Sequence, residues 1–190
     1  MAMKKRLLTR FTVKRVEKYI RSLLLLPLLL WSVGSLAECS PDIPSTTLTQ
    51  NFRINGDGTV SDLSTGLMWR KCSGYTSSNS EECLDTRAMN TWQETLQGTK
   101  QLNDEGGFAG YTDWRLPNVK ELRTIVDEAC SHANPLLFPN AQGEHWTSTH
   151  VAEDLPSDDD HIWIVYLTDG FVSSLPSDSL APVMLVRDED

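Results

Sequence analysis

All four cysteines of this 190-residue chain, Cys39, Cys72, Cys83 and Cys130, lie beyond its first 37 residues, and what precedes them decides what they become. Eight basic residues between Lys4 and Arg21 lead into an apolar run from Leu23 to Val33. That run is about half the roughly 20 residues that a membrane-spanning helix needs, and Pro27 interrupts it. Ser35-Leu36-Ala37 then offers the small residues that a signal peptidase reads. Residues 1–37 are expected to be a secretory signal cleaved after Ala37, with an uncleaved anchor as the rival. Glu38, directly before Cys39, argues against a lipid-modified cysteine. The expected location is periplasmic or extracellular, with the membrane met only in transit.

In an oxidising compartment an even cysteine count reads as two disulfides. Cys72 and Cys83 flank the polar segment SGYTSSNSEE, which suits a stapled surface loop. That leaves Cys39 with Cys130, a longer closure worth up to about 4 kcal/mol in the loop-entropy model. No C-x-x-C pair is present to favour zinc.

Export also changes the charge. The whole chain carries −9, but eight of its 17 basic residues and only Glu17 of its 26 acidic ones fall in the leader. The remaining 153 residues hold nine cations against 25 carboxylates, a net of −16. A field of that sign excludes nucleic acid and sulfated polymers as partners drawn in by bulk charge. It suits cations, basic partners or plain solubility. The length suffices for one domain with its own core.

Residues 38–50 are rich in proline and hydroxyl groups and read as an extended lead-in to a domain over 51–188. Strands are expected at 52–54, 59–61 and 67–70. Asn55-Gly56-Asp57-Gly58 and Ser64-Thr65-Gly66 supply the positive-φ turns between them. A helical window follows from Thr86 to Leu102, with Met89, Trp92 and Leu96 on one buried face. A second helix opens at Asn118, with Glu121 completing a capping box. Val119, Leu122, Val126 and Ala129 form its apolar stripe. Strand-like pieces at 145–150, 161–168, 171–174 and 182–187 complete the chain, and Asp169-Gly170 marks a hairpin. The expected class is α+β: a compact, loop-rich, disulfide-stapled domain with two helices packed on short antiparallel strands.

GYTDWRLPNVKEL, Gly110 to Leu122, is the densest stretch. Pro117 holds Leu116 extended, Leu116 is placed to staple the helix that follows, and Trp114 is expected in the core. Arg115 is expected to bond carbonyls at a sheet edge. These residues carry a resemblance. GDGTVSDLSTGLMWRKC, a helix with Trp92, GYTDWRLPNVKELRTIVD, NPLLFPN, HWTSTH, a Trp-bearing strand, Asp-Gly and a terminal Val-Arg occur in that order. Over Asn51 to Arg187 the chain resembles the Lcl C-terminal domain family of exported bacterial proteins. RLPNVKEL is also similar to the RLPTEAEW step of formylglycine-generating enzymes and related C-type-lectin-like domains. The resemblance implies a C-type-lectin-like fold. The family is named after the C-terminal domain of a collagen-like surface adhesin that trimerises and binds sulfated glycosaminoglycans. This chain has no Gly-X-Y tract, and its charge opposes a polyanion. The enzymes place their cysteines late in the domain, whereas here none follows Cys130.

Other chemistry finds little support. Aligning Gly58 with the sixth position of a calcium-binding helix-loop-helix puts Arg53 first and Ser64 twelfth, and neither can serve there. His145 and His150 are five apart, so a regular strand sends them to opposite faces. Asp158, Asp159 and Asp160 are the candidate calcium ligands, with a solvated loop as the plainer reading. Cys130 with His132 is a conceivable nucleophile pair, set aside for the disulfide. No G-x-S-x-G elbow supports a serine triad. Most tryptophans are expected in the core, and Trp146, beside Thr147, Ser148 and Thr149, is the candidate ligand contact. The expected function is an exported, non-catalytic recognition or adhesion domain for carbohydrate or a surface partner. A structural or assembly module is the alternative, and a hydrolase-like enzyme comes third. No catalytic residue or cofactor is assigned, and homo-oligomers are left open.

Overall fold

The computed structural model describes residues 42, 50–75, 83, 88–127, 129–130, 132–152 and 160–189. The chain divides after Ala37, and all described residues belong to the second unit. The leader, Cys39, Asp158 and Asp159 lie outside them.

The first strands form where turn chemistry dictates. β1 (Phe52–Ile54), β2 (Thr59–Asp62) and β3 (Leu67–Arg70) make a meander. Gly56 and Gly58 supply the first turn at φ 79° and 86°. There Asp57 Oδ1 accepts from the Thr59 amide at 3.0 Å and from its hydroxyl at 2.6 Å, so the carboxylate closes the turn. β9 (Val186–Asp188) pairs with β3, giving a sheet in the order β1-β2-β3-β9.

α1 (Trp92–Asp104) starts later than the Thr86 boundary expected. Thr91 caps it, with Glu94 bonding back to the Thr91 amide. Met89 lies ahead of the helix, 46% exposed rather than on its buried face. Fully buried positions on α1 are Thr95 and Thr99. α2 (Val119–Arg123) has the expected Asn118–Glu121 box but only five residues. The apolar stripe leaves the helix: Val126 enters β4 (Val126–Asp127), where it pairs with Ala133 of β5 (His132–Ala133). Both residues still reach the core.

β6 (Glu144–His150), β7 (His161–Tyr166) and β8 (Val172–Pro176) form the third antiparallel sheet, turning from β7 to β8 at Asp169-Gly170. Pro182 to Leu185 is buried but is not a strand. Its carbonyls serve different elements: Pro182 accepts from Trp146, Val183 from Gly74 and Leu185 from Arg70. Leu185 keeps the register of β9 on β3, but the carbonyls before it leave that strand, so no single ladder runs through the segment.

Period-two alternation explains the core. Leu67 and Trp69 on β3, Val165 on β7, and Met184 and Val186 face one cluster with Leu122, Ile125 and Phe138. Met68, Ile162, Ile164, Val183 and Leu185 face a second cluster with Trp114 and Trp146. Side chains alternate across each of these extended segments, so the segments divide the two clusters while feeding both.

The Cys72–Cys83 disulfide is present. Cys130 is also disulfide-bonded, and no described cysteine is free.

Candidate functional site

The GYTDWRLP stretch is a structural corner. Trp114 is 2% exposed, and its indole donates to the Phe108 carbonyl at 3.1 Å. Arg115 pairs through its backbone with Val186, but its guanidinium bonds carboxylates rather than the carbonyls expected: Glu121 at 2.8 and 3.0 Å and Asp188 at 2.8 Å. The Glu121 bond, followed by that to Asp188, raises its pKa above the ordinary value against the opposing effect of burial. Leu116 sits with Trp114 in the second cluster while Leu122, four positions into α2, belongs to the first, so Leu116 is no staple. Pro117 is buried and its carbonyl accepts from Ser148. Two further arginines clamp the turn before this corner. Arg70 lies 4.3 Å over the Phe108 ring and Arg187 lies 4.1 Å over the Tyr111 ring. Burial pushes the Arg70 pKa down to about 10.

Trp146, the candidate ligand contact, is completely buried, and its indole is held by the Asn90 carbonyl at 2.9 Å. A ligand could reach it only by unpacking the second cluster, so that assignment is withdrawn. Asp160 is exposed; its carboxylate lies 3.2 Å from His150 Nδ1. His145 and His150 do not converge even though the β6–β7 register shifts between Trp146 and His150. His145 is sealed in the interior, with Nε2 3.0 Å from the Ser73 hydroxyl and Nδ1 3.2 Å from the Gly143 carbonyl. Ser73 is 1% exposed, so this pair has no open approach for a substrate. Among the described residues no group of three His, Cys, Asp or Glu could hold a metal ion.

Two of the clefts that reach the surface are lined by described residues. One, of about 360 Å³, lies between α1 and the Trp114 corner. Its polar groups are already engaged: Lys100 with Asp104, Arg115 with Glu121, and both ends of the Asn103 amide with the Trp114 backbone. The other, of about 450 Å³, is an open groove lined by Val119, Lys120, Arg123, Trp163 and Val172.

The second groove is built on rigid parts. β7 is the central strand of its sheet, and the Trp163 carbonyl accepts from the Thr147 hydroxyl of β6 at 2.6 Å. α2 lies against β6 and β7 and is fastened by Val119 N–H to the Thr149 hydroxyl at 3.1 Å. Asn118 fixes the first turn by accepting from the Lys120 and Glu121 amides at 2.9 Å. Val119 and Val172 rest on the first cluster and form an apolar floor. Trp163 is half-buried, flanked in sequence by fully buried Ile162 and Ile164 that face the other way. Trp163 is among the tryptophans expected in the core, and it is half-buried instead. The signal that locates it is period two: a residue between two isoleucines that share one face must point to the other.

The electrostatics single this groove out. The other described surface cations, Arg53, Lys100 and Arg115, each face a carboxylate. Lys120 and Arg123 are exposed and have no carboxylate partner among the described residues. An aromatic side chain thus shares a groove with two cations that have no carboxylate partner among the described residues, an arrangement whose chemistry suits an anionic or π-stacking group.

No curated protein matches this chain. The sequence pattern of the Lcl C-terminal domain matches residues 58–187, about two thirds of its length and nearly all of the described fold, from the β1–β2 turn to β9. The chain belongs to the Lcl C-terminal domain family.

Proposed function

We propose that this protein is an exported, non-catalytic recognition domain that holds its ligand in the Trp163 groove. The observation that carries the reading is the pairing of half-exposed Trp163 with Lys120 and Arg123, neither of which has a carboxylate partner among the described residues. The Ser73–His145 pair, sealed inside, supports binding rather than catalysis. Either a saccharide ring stacked on Trp163 or a segment of a surface protein suits the open shape. The basic-apolar leader supports export to the periplasm or beyond. The compact arrangement of two helices on short antiparallel sheets, with a helix directly after Arg115-Leu116-Pro117, supports a C-type-lectin-like architecture.

The test is retention of labelled protein on glycan arrays and on surface-protein overlays, comparing the native chain with Trp163→Ala. Loss of about tenfold or more in the variant, at an unchanged melting temperature, supports the groove. Equal retention of both proteins on every ligand found sinks it.

A further inference from the structure

β8 is the outer strand of the β6-β7-β8 sheet, and its register shows which backbone groups face away from that sheet. Tyr166 N–H donates to Phe171 O at 2.8 Å and Ser177 N–H to Asp160 O at 2.8 Å, so these are hydrogen-bonded pairs at the two ends of the ladder. Antiparallel pairing alternates between bonded and non-bonded positions. Ser173 and Leu175 therefore point amide and carbonyl at β7, as do the Phe171 carbonyl and the Ser177 amide, while Asp169 Oδ1 takes the Phe171 amide and the Ser177 carbonyl accepts from Trp92. Val172 and Ser174, opposite Val165 and Trp163, point theirs outward. No backbone bond to these outward groups exists among the described residues. The opposite edge of the sheet is covered: β6 donates from Trp146 to Pro182 and from Ser148 to Pro117.

An unpaired edge is a template for another strand. This one adjoins the Trp163 groove, because Val172 lines the groove floor and shares a sheet face with Trp163. We propose that the outer edge of β8 and the groove together form a docking strip for an extended acidic segment of a partner protein, which adds to the sheet as a fourth strand. This rests on the recognition reading of the same groove and names its occupant. The added strand satisfies the Val172 and Ser174 backbone groups, which a saccharide cannot do in register. Its side chains alternate between faces. One set lies over Trp163 and brings carboxylates to Lys120 and Arg123. The other set lies beside half-buried Leu175 and Phe171, which is 60% exposed. An alternation of acidic and apolar residues is the pattern both faces select. Pro176 ends the strip, since it offers no outward N–H.

The experiment titrates the full chain with a peptide of about ten residues alternating Glu and Val. Its block isomer with the Glu residues grouped, a Lys–Val counterpart and polygalacturonate are titrated alongside. Tryptophan fluorescence reads binding, and amide hydrogen exchange reads Val172 and Ser174. The alternating acidic peptide is expected to bind about tenfold or more tighter than its block isomer and to slow exchange at both amides. Combined Lys120→Glu and Arg123→Glu substitutions, on exposed side chains, should weaken binding about tenfold or more at an unchanged melting temperature. Ser174→Pro, which deletes one outward donor, should weaken peptide binding and the protection read at Val172. The basic leader is common to every variant and cancels in the comparison. Peptide binding without protection of Val172 and Ser174, or insensitivity to charge reversal, overturns the proposal. Trp163-dependent binding of polygalacturonate with no peptide binding also overturns it, yet leaves the groove as a recognition site. If Trp163→Ala binds every probe like the native chain, it is the groove reading that falls.

Discussion

Gly98 lies inside α1, where alanine would favour the helix by about 1 kcal/mol. A Cβ there would sit 3.0 Å from Tyr75 Cζ, because the ring lies flat against the helix backbone. Gly98→Ala should therefore destabilise the native chain yet stabilise a Tyr75→Ala background by about 1 kcal/mol; urea unfolding of the four proteins measures that change of sign. Gly107 is more constrained, since at φ +75° its Cβ would fall 1.7 Å from the Tyr111 carbonyl oxygen. Gly107→Ala should cost about 3–5 kcal/mol and disturb both arginine–aromatic contacts at the corner, which near-ultraviolet circular dichroism would report. Composition at this scale misleads. Trp146, chosen for its polar neighbours, is interior because its indole has a carbonyl partner across the fold, at Asn90. Trp163 is half-buried, on the face away from Ile162 and Ile164, where it lines the groove beside short α2. Polar neighbours in sequence do not reveal which face a strand presents, but alternation does.

At the level of elements, what was legible depended on how local the cause was. The β1, β2 and β3 boundaries followed from turn residues that act over four positions, and the structure departs from them by one residue at β2. The Asn118–Glu121 box was equally local, and Asn118→Ala should cost about 1 kcal/mol in thermal unfolding. The length of α2 was not legible, because Val126 is drawn out of the helix by pairing with Ala133. Nor was the buried path from Pro182 to Leu185, whose bonds go to partners far away in sequence. One long-range tie has a pH signature. The Arg187 hydrogen bond holds the Asp113 carboxyl below its ordinary pKa. A depressed folded-state pKa contributes stability above the unfolded value, near pH 4, and loses it as pH falls through the lower folded value. Asp113→Asn should thus be less stable than the native chain at neutral pH, with the gap closing below about pH 4. Urea midpoints across that range measure the closure.

For the whole molecule, the candidate site was less legible than the fold, because it depends on α2, β7 and β8 meeting. No motif records that Lys120, Arg123 and Trp163 share one groove. The Cys72–Cys83 staple, by contrast, was readable from spacing and is a local constraint. Replacing both residues by alanine should cost about 2–3 kcal/mol under oxidising conditions, and calorimetry with and without reductant tests it. The closure that matters most is not covalent. Trp69 of β3 pairs with Val186 of β9, 186 − 69 = 117 residues later, whereas β1 and β2 lie next to each other in the chain. Long-range pairing of this kind is slow. A nascent chain therefore passes through a stage in which the meander exists and its β3 edge waits open. Timing then becomes a vulnerability: in crowded conditions that edge can be taken by β9 of a neighbour, exchanging strands between two molecules before either has closed its own sheet.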